Sequence, residues 1–194
     1  EHGLQVAVVG HALGIIENHF FEGQVNPERI MALAAFHEVG EVFTGDLPTP
    51  IKYFNPSIKA AYDEIEDFAK EKLLTMLPEA LRPEYKKLFF HQAEDERAWK
   101  LVKGADKITA YLKCIEELQA GNQEFAKAAQ VIKEELDEMN IPAVDYFMKN
   151  FAGSFALPLD ELNGELERRR LDEKMDRDLA NLATDNFGGS DCFV

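Results

Sequence analysis

Histidine and carboxylate side chains able to bind a metal ion occur at three widely separated places in the sequence. His37 and Glu38 are adjacent, His2 is the second residue, and Asp106 lies far along the chain. Two imidazoles and two carboxylates form a mixed nitrogen and oxygen ligand set that suits Mn²⁺, Co²⁺, Fe²⁺, Ni²⁺ or Zn²⁺. A divalent ion held by such a set polarises a bound oxygen and acidifies a water molecule, which is the basis of metal-assisted hydrolysis.

Each of these residues also has an ordinary structural explanation. A histidine such as His37 on an amphipathic helix is more often a packing residue than a metal ligand. Glu41, one turn after His37, could be a solvated helix charge, and Asp106 between Lys103 and Lys107 could form a surface ion pair. Spacing over such long gaps does not separate these alternatives.

The segments that carry these residues are predicted to be helices. Apolar residues between positions 4 and 16 recur with helical spacing, which predicts a first helix after His2. Asn26-Pro27 is a typical helix start, and the second helix is predicted to contain His37 well inside it. A long helix from about Glu94 to Ala120 is predicted to carry Asp106.

The rest of the chain also favours helices. Further helices are predicted after Asn55-Pro56 and from about Asn122 to Met139, resuming after Pro142. The stretch Thr44–Pro50 is predicted not to be helical, because its two prolines remove backbone donors. No segment alternates with period two, so we expect an all-α protein. Residues 1–164 should form one compact helical domain with the metal site between helices, and residues 165–194 a charged C-terminal extension.

Composition limits the partners and the compartment. Among 194 residues, 21 Lys and Arg face 36 Asp and Glu, and the net charge of -15 disfavours binding to nucleic-acid polymers or anionic membranes. A small phosphate ester stays possible, because a bound cation reverses the local field. Two cysteines, Cys114 and Cys192, and no apolar run of about 20 residues favour a soluble protein of the cytoplasm. Since the sequence starts at Glu1 without a methionine, we expect an upstream segment.

The order of these motifs resembles the H…HD…D signature of HD-domain phosphohydrolases. It comprises Glu1-His2, the run from Phe36 to Pro50, and Lys103-Gly-Ala-Asp106. Within that superfamily, Thr44-Gly-Asp-Leu-Pro-Thr-Pro-Ile-Lys-Tyr-Phe54 and Tyr111-Leu-Lys-Cys-Ile-Glu-Glu-Leu118 are similar to the bacterial 5′-deoxynucleotidases. The similarity extends from Glu1 to about Leu162.

The resemblance implies roles for individual residues. The metal-ligand positions are occupied by His2, His37, Glu38 and Asp106, and the positions implicated in catalysis by Glu41 and Asp46. Thr49 and Lys52 are the candidates for contacts to substrate. The family has Asp where this chain has Glu38, so the identity of the metal is open among Mn, Co, Mg, Fe, Ni and Zn. Only His91 is available as an additional histidine between the second motif and Asp106, which favours one ion.

The same resemblance implies an activity. We expect a metal-dependent hydrolase of nucleoside 5′-monophosphates, with preference for deoxyribonucleotides, which releases nucleoside and phosphate and forms a homodimer. Two alternatives stay open at this point. The substrate could be another phosphate ester, such as a cyclic nucleotide or a guanosine polyphosphate, or the protein could bind nucleotides at a degraded site without catalysis.

Overall fold

Helices make up all the regular structure of the described residues, which are 1–52, 54–158 and 160–161, with the side chains of Thr49 and Pro50 left aside. The structure is a computed structural model. The α-helices are α1 (His2–Phe20), α2 (Pro27–Ala35), α3 (Glu41–Thr44), α4 (Thr49–Lys52), α5 (Pro56–Thr75), α6 (Arg82–Phe89), α7 (Glu96–Gln119), α8 (Ala126–Glu138) and α9 (Pro142–Asn150). Short 3-10 helices cover Glu79–Leu81, Ala93–Asp95, Gln123–Phe125 and Ala152–Ala156. The predicted all-α class is confirmed.

Two helices start with the predicted asparagine and proline pair. The side chain of Asn26 accepts a hydrogen bond from the backbone N–H of Arg29 at 2.9 Å, and Asn55 accepts one from Ile58 at 2.8 Å. In each case proline follows in the first turn, where its missing N–H costs no helical hydrogen bond. The sequence therefore predicted the starts of α2 and α5 correctly.

The end of α2 differs from the prediction. The helix ends at Ala35, and His37 lies in a turn that spans residues 36–40 rather than deep inside a helix. The reason is a switch to shorter hydrogen bonds: Phe36 N–H donates to Leu33, and His37 N–H donates to Ala34. Such three-residue bonds tighten a helix end and redirect the chain. The turn thereby changes the direction of the side chains that follow α2.

The stretch Thr44–Pro50 is only partly non-helical, which corrects a second prediction. Thr44 ends α3, residues 45–48 are irregular, and α4 begins at Thr49. Pro50 is compatible with α4 because it lies in the first turn. The C=O of Pro48 accepts hydrogen bonds from the N–H groups of Ile51 and Lys52, so this proline marks the start of the short helix.

The core joins α1, α2 and α7. Helix α7 packs against α1, α2, α8 and α9, and α1 packs against α2 and α9. The largest fully buried side chains come from these elements: Leu13, Ile30, Leu33, Leu101, Ile108, Leu136, Val6, Val102 and Val144. Each contributes about 1.5–3 kcal/mol through removal of apolar surface from water. This packing holds the start of α1, the end of α2 and the middle of α7 close together.

The chain divides into two units, Glu1–Ala152 and Gly153–Val194. All the site residues predicted from sequence fall in the first. The predicted boundary near residue 164 and the extension of residues 165–194 lie outside the described residues, so both stay predictions. Among the helices described, none has the length and apolar character needed to cross a lipid bilayer.

Candidate metal centre and catalytic pocket

Four side chains from three parts of the chain converge at one point. His2 comes from the first turn of α1, His37 and Glu38 from the turn after α2, and Asp106 from the middle of α7. One ligand atom of each lies within 4.8 Å of the others. Two ligands on opposite sides of one ion, each about 2.1 Å from it, lie about 4.2 Å apart. The cluster is therefore close to the size of a single-ion site.

The distances within the cluster link histidines to carboxylates. His2 Nε2 lies 2.9 Å from Asp106 Oδ1 and 3.8 Å from Glu38 Oε1. His37 Nε2 lies 3.5 Å from Glu38 Oε1 and 3.8 Å from Asp106 Oδ1. Each imidazole nitrogen thus lies close to both carboxylates, and this mixed nitrogen and oxygen set is of the kind that binds transition-metal ions.

A backbone hydrogen bond fixes the orientation of the His37 ring. Its Nδ1 lies 2.7 Å from the backbone oxygen of Ala34, and because a carbonyl only accepts, Nδ1 carries the hydrogen. In the neutral ring the lone pair is therefore on Nε2, which is buried and has no hydrogen-bond partner among the described residues. A backbone bond that orients the ring and leaves the other nitrogen free is the usual arrangement of a metal-ligating histidine.

The charges of the cluster are strongly coupled. Burial, the largest single influence on His37, lowers its pKa, but Asp106 and Glu38 together outweigh burial and raise it to about 10. The hydrogen bond to Asp106 raises the pKa of His2. Burial acts to raise the pKa of Asp106, yet the two histidines hold it below its ordinary value, and His37 lowers the pKa of Glu38. Two positive charges balance the two carboxylates. Either the two histidines carry them as protons or one divalent ion supplies them.

Glu38 reaches the cluster despite its extra methylene. Its carboxylate contacts both imidazoles while its side chain stays 40% exposed, whereas His37 is only 11% exposed. The longer side chain approaches from the solvent side. The substitution of the family's Asp by Glu is therefore compatible with a ligand at this position.

A pocket of about 190 Å³ opens beside the cluster. Its lining side chains are His37, Glu38, Glu41, Lys52, Glu66, Lys70 and Asp106, with Gly40. Gly40 is buried, and a Cβ at this position would lie 3.2 Å from the backbone oxygen of Glu66. Glycine at position 40 therefore lets α5 approach the turn that carries two of the candidate ligands.

Glu41 is placed at the wall of this pocket, as a catalytic carboxylate would be. Burial, together with the negative charges of Glu38 and Asp46, raises the pKa of Glu41 to about 7, although Lys52 opposes the shift. A carboxyl group with such a pKa exchanges a proton readily near neutral pH. The structure thus places one sequence-predicted catalytic residue next to the candidate ligands.

The other predicted residues are placed differently. Asp46 is exposed on the irregular segment 45–48 and does not line the pocket, although its charge acts on Glu41. Lys52 lines the pocket and is ion-paired to Glu66 at 2.9 Å. The side chain of Thr49 lies outside the described part of the chain, so its contact to substrate stays a prediction.

Glu66 and Lys70 are pocket residues that the sequence did not reveal. They stand four positions apart on α5, which by spacing alone predicts an ordinary surface pair. In the structure Glu66 pairs with Lys52 instead, and Lys70 with Asp67. Helical spacing indicated that both share one face of α5, but the neighbour of that face is a tertiary feature.

The sequence is similar to those of known 5′-deoxynucleotidases. Residues 1–155 match the family described as YfbR-like 5′-deoxynucleotidase. A 5′-deoxynucleotidase of Vibrio vulnificus is 50% identical over 163 residues, which cover 84% of each chain. A 5′-deoxynucleotidase of Cronobacter sakazakii is 50% identical over 165 residues, covering 84% of this chain and 82% of the relative.

The fold is also found among solved structures. An HD-domain phosphohydrolase of Listeria innocua superposes with a TM-score of 0.67, covers 87% of this chain and 85% of its own, and is 22% identical. This likeness shows the HD fold, and the sequence matches show the narrower relationship. The family match over residues 1–155 and the relatives at about 50% identity show that this chain belongs to the YfbR-like 5′-deoxynucleotidase family.

Proposed function

We propose that this protein hydrolyses deoxyribonucleoside 5′-monophosphates to nucleoside and phosphate, with one divalent ion held by His2, His37, Glu38 and Asp106. The observation that carries the proposal is the buried Nε2 of His37, which makes no hydrogen bond within the described residues and lies 3.5 and 3.8 Å from the carboxylates of Glu38 and Asp106, beside a pocket lined by Glu41. The curated relatives named 5′-deoxynucleotidases support the choice of substrate.

The charge of the pocket explains why a metal ion is needed. Four carboxylates, those of Glu38, Glu41, Glu66 and Asp106, line it together with two lysines. A phosphate dianion would be repelled by this excess of negative charge. A divalent ion at the cluster reverses the local field, and when bound it supplies Lewis-acid polarisation of a phosphoryl oxygen and acidifies a water molecule.

The ligand types favour a transition metal. Two imidazoles suit Mn²⁺, Co²⁺ or Zn²⁺ better than Mg²⁺ or Ca²⁺, which prefer sites made of oxygen ligands only. Within that group we propose Mn²⁺ or Co²⁺ as the activating ion, because His2, Glu38 and Asp106 are 40%, 40% and 38% exposed and leave one side of the site open. Ions that tolerate more than four ligands suit such a site.

The remaining pocket residues have complementary roles. Glu41 lines the same wall as the ligands, so we assign it to orient the attacking water and accept its proton. We assign Asp46, on the exposed segment 45–48, to protonate the leaving 5′ oxygen. Lys52 is the candidate for a contact to phosphate. A cavity of about 190 Å³ takes the phosphate end of a nucleotide and leaves the sugar and base toward solvent.

A second copy of the chain is proposed to cover one face of α5. Ile58, Ile65, Phe68 and Met76 follow a helical spacing and are 36%, 53%, 72% and 68% exposed. Exposed large apolar residues that share a helix face typically mark an interface. Light scattering on the parent and on Phe68→Lys tests this homodimer: the variant should show a lower mass.

The free, buried thiol of Cys114 is consistent with a reducing compartment, and we propose the cytoplasm.

A panel of phosphate esters tests the proposed substrate. Phosphate release should be fastest with deoxynucleoside 5′-monophosphates and slow or absent with cyclic nucleotides and guanosine polyphosphates. Faster turnover of either competitor would reassign the substrate. Binding of nucleotide and metal without any turnover would indicate a binding protein.

A further inference from the structure

Two side chains one turn apart on α5 contact both ends of a single segment. We call this segment, residues Gly45–Lys52, the substrate loop, because it contains Asp46 and Lys52, which are proposed to act on the substrate. It comprises the irregular residues 45–48 and the short helix α4. Tyr62 contacts its first residue and Glu66 its last. Neither residue was a candidate from sequence, and of the two only Glu66 lines the pocket.

Tyr62 holds the start of the substrate loop. Its ring is buried, with 8% exposure, and its hydroxyl donates a hydrogen bond of 2.9 Å to the backbone oxygen of Gly45. The hydroxyl of Thr44 donates to the same oxygen, also at 2.9 Å. Gly45 has φ 68° and ψ 168°, a backbone conformation essentially restricted to glycine. Two hydroxyl donors therefore fix an unusual conformation immediately before Asp46.

Glu66 holds the end of the substrate loop. Its carboxylate lies 2.9 Å from Lys52 Nζ, and the two side chains are only 19% and 22% exposed. The same ammonium group lies 4.6 Å from the centre of the Tyr62 ring. An ion pair that is largely removed from water and stacked on an aromatic ring keeps a lysine in one place.

Helix α5 is itself fixed against the metal centre. The backbone oxygen of Glu66 would be 3.2 Å from a Cβ at Gly40, so the two backbones are in close contact. Gly40 lies in the turn that also contains His37 and Glu38. The position of α5 is therefore tied to the metal-ligand positions, and through Tyr62 and Glu66 so is the substrate loop.

From these contacts we infer that Tyr62 and Glu66 are positioning residues, which hold Asp46 and Lys52 in register with the metal centre. The inference rests on the proposed function for its catalytic consequence. The structural part, that α5 immobilises the substrate loop, stands independently of any substrate. Neither residue needs to touch the substrate, since each acts through the loop.

Hydrogen exchange of the full chain tests the structural part without a substrate. The variants are Tyr62→Phe, which removes one hydroxyl, and Glu66→Gln, which removes one charge. Tyr85→Phe and Glu64→Gln are matched controls: Tyr85 packs on Phe36 and Phe89, and Glu64 is exposed on α5. The amides of Gly45, Ile51 and Lys52 are hydrogen-bonded and report on the loop. Each test variant should exchange these amides about fivefold faster, because Tyr62→Phe loses one hydrogen bond and Glu66→Gln loses the charge of one ion pair, and the controls should match the parent.

Kinetics of the same proteins test the consequence. With Mn²⁺ present, kcat/KM for a deoxynucleoside 5′-monophosphate should fall about tenfold in both test variants, while metal content stays at the parent level. Glu66→Gln should have little further effect in a Lys52→Met background, because its action passes through Lys52.

The outcomes separate this inference from the proposed function. Unchanged loop exchange in both test variants would overturn the positioning role, whatever the kinetics. The test variants could exchange the loop amides faster while the parent releases no phosphate from any deoxynucleotide. That result would support α5 as the anchor of the loop and contradict the proposed reaction. Equal losses in the controls would show a general loss of structure and overturn the inference.

Discussion

His2 Nε2 lies 2.9 Å from Asp106 Oδ1, although 104 positions separate the two residues in the sequence. The contact joins the start of α1 to the middle of α7 and defines one edge of the candidate metal centre. Asp106 Oδ1 also lies 3.8 Å from His37 Nε2, so Asp106, like Glu38, faces both imidazoles. The first prediction concerns its charge.

Asp106→Asn keeps the shape of the side chain and removes its charge. We expect metal content to fall by about tenfold or more, because a neutral amide is a much weaker ligand beside two imidazoles. Metal analysis by mass spectrometry on identically purified proteins measures this. Asp145→Asn, an exposed aspartate in the first turn of α9, is the matched control and should bind metal like the parent. Normal metal content in Asp106→Asn would remove Asp106 from the ligand set.

The second prediction concerns Glu38, the position at which this chain departs from the family's aspartate. Glu38→Ala should lose most of the metal and nearly all activity, since Glu38 supplies one of the two carboxylates near the histidines. Glu38→Asp shortens the reach by one methylene and should retain metal, with a changed order of preference among Mn²⁺, Co²⁺ and Zn²⁺. Metal analysis of the three proteins decides the matter. If Glu38→Ala binds metal as tightly as the parent, Glu38 is not a ligand.

A substitution at Glu41 tests whether this residue transfers a proton in the reaction. Glu41→Gln keeps the size of the side chain but cannot exchange a proton, so turnover should fall by about 10²-fold or more with metal content near normal. Phosphate release at saturating substrate measures the change. Glu64→Gln removes the same charge from an exposed position on α5 and should leave turnover unchanged. Unchanged turnover in Glu41→Gln would reduce Glu41 to a structural charge.

A stability prediction concerns the frame that positions the metal centre. Arg29 of α2 donates from Nε and Nη2 to both carboxylate oxygens of Asp95 before α7, at 3.1 and 2.6 Å, and Asp95 is buried. Asp95→Asn should lower the free energy of unfolding by about 2 kcal/mol, because the amide has no charge and keeps only one oxygen that can accept from Arg29. Urea denaturation measures it. Glu94→Gln, an exposed neighbour, is expected to have an effect within about 0.5 kcal/mol.

Local patterns predicted most helices of the first 150 residues. Asparagine and proline pairs predicted the starts of α2 and α5, since capping depends on a few adjacent residues. The turn at His37 was missed because it follows an apolar periodicity that does not itself stop at Ala35. The helical turn α4 was missed because two prolines indicate a break, while a proline in a first turn is compatible with a helix.

The site was predicted less completely than the helices. The four ligand candidates were chosen by family resemblance, because the His2 to Asp106 contact is set by packing of distant helices. Tyr62 and Glu66 carried no signal at all: a tyrosine and a glutamate one turn apart are common on any helix. Their partners, Gly45 and Lys52, become visible only when α3, α4 and α5 are seen to pack together.

The most direct test of the central claim compares two isomers of one nucleotide. With Mn²⁺ or Co²⁺ added, the protein should release phosphate from thymidine 5′-monophosphate about tenfold faster or more than from the 3′-monophosphate, and a chelator should abolish both. The isomers have the same charge and composition, so the ratio reports how the pocket and the metal centre orient the phosphate. Equal rates on both isomers, or no release from either with metal bound, would contradict the account.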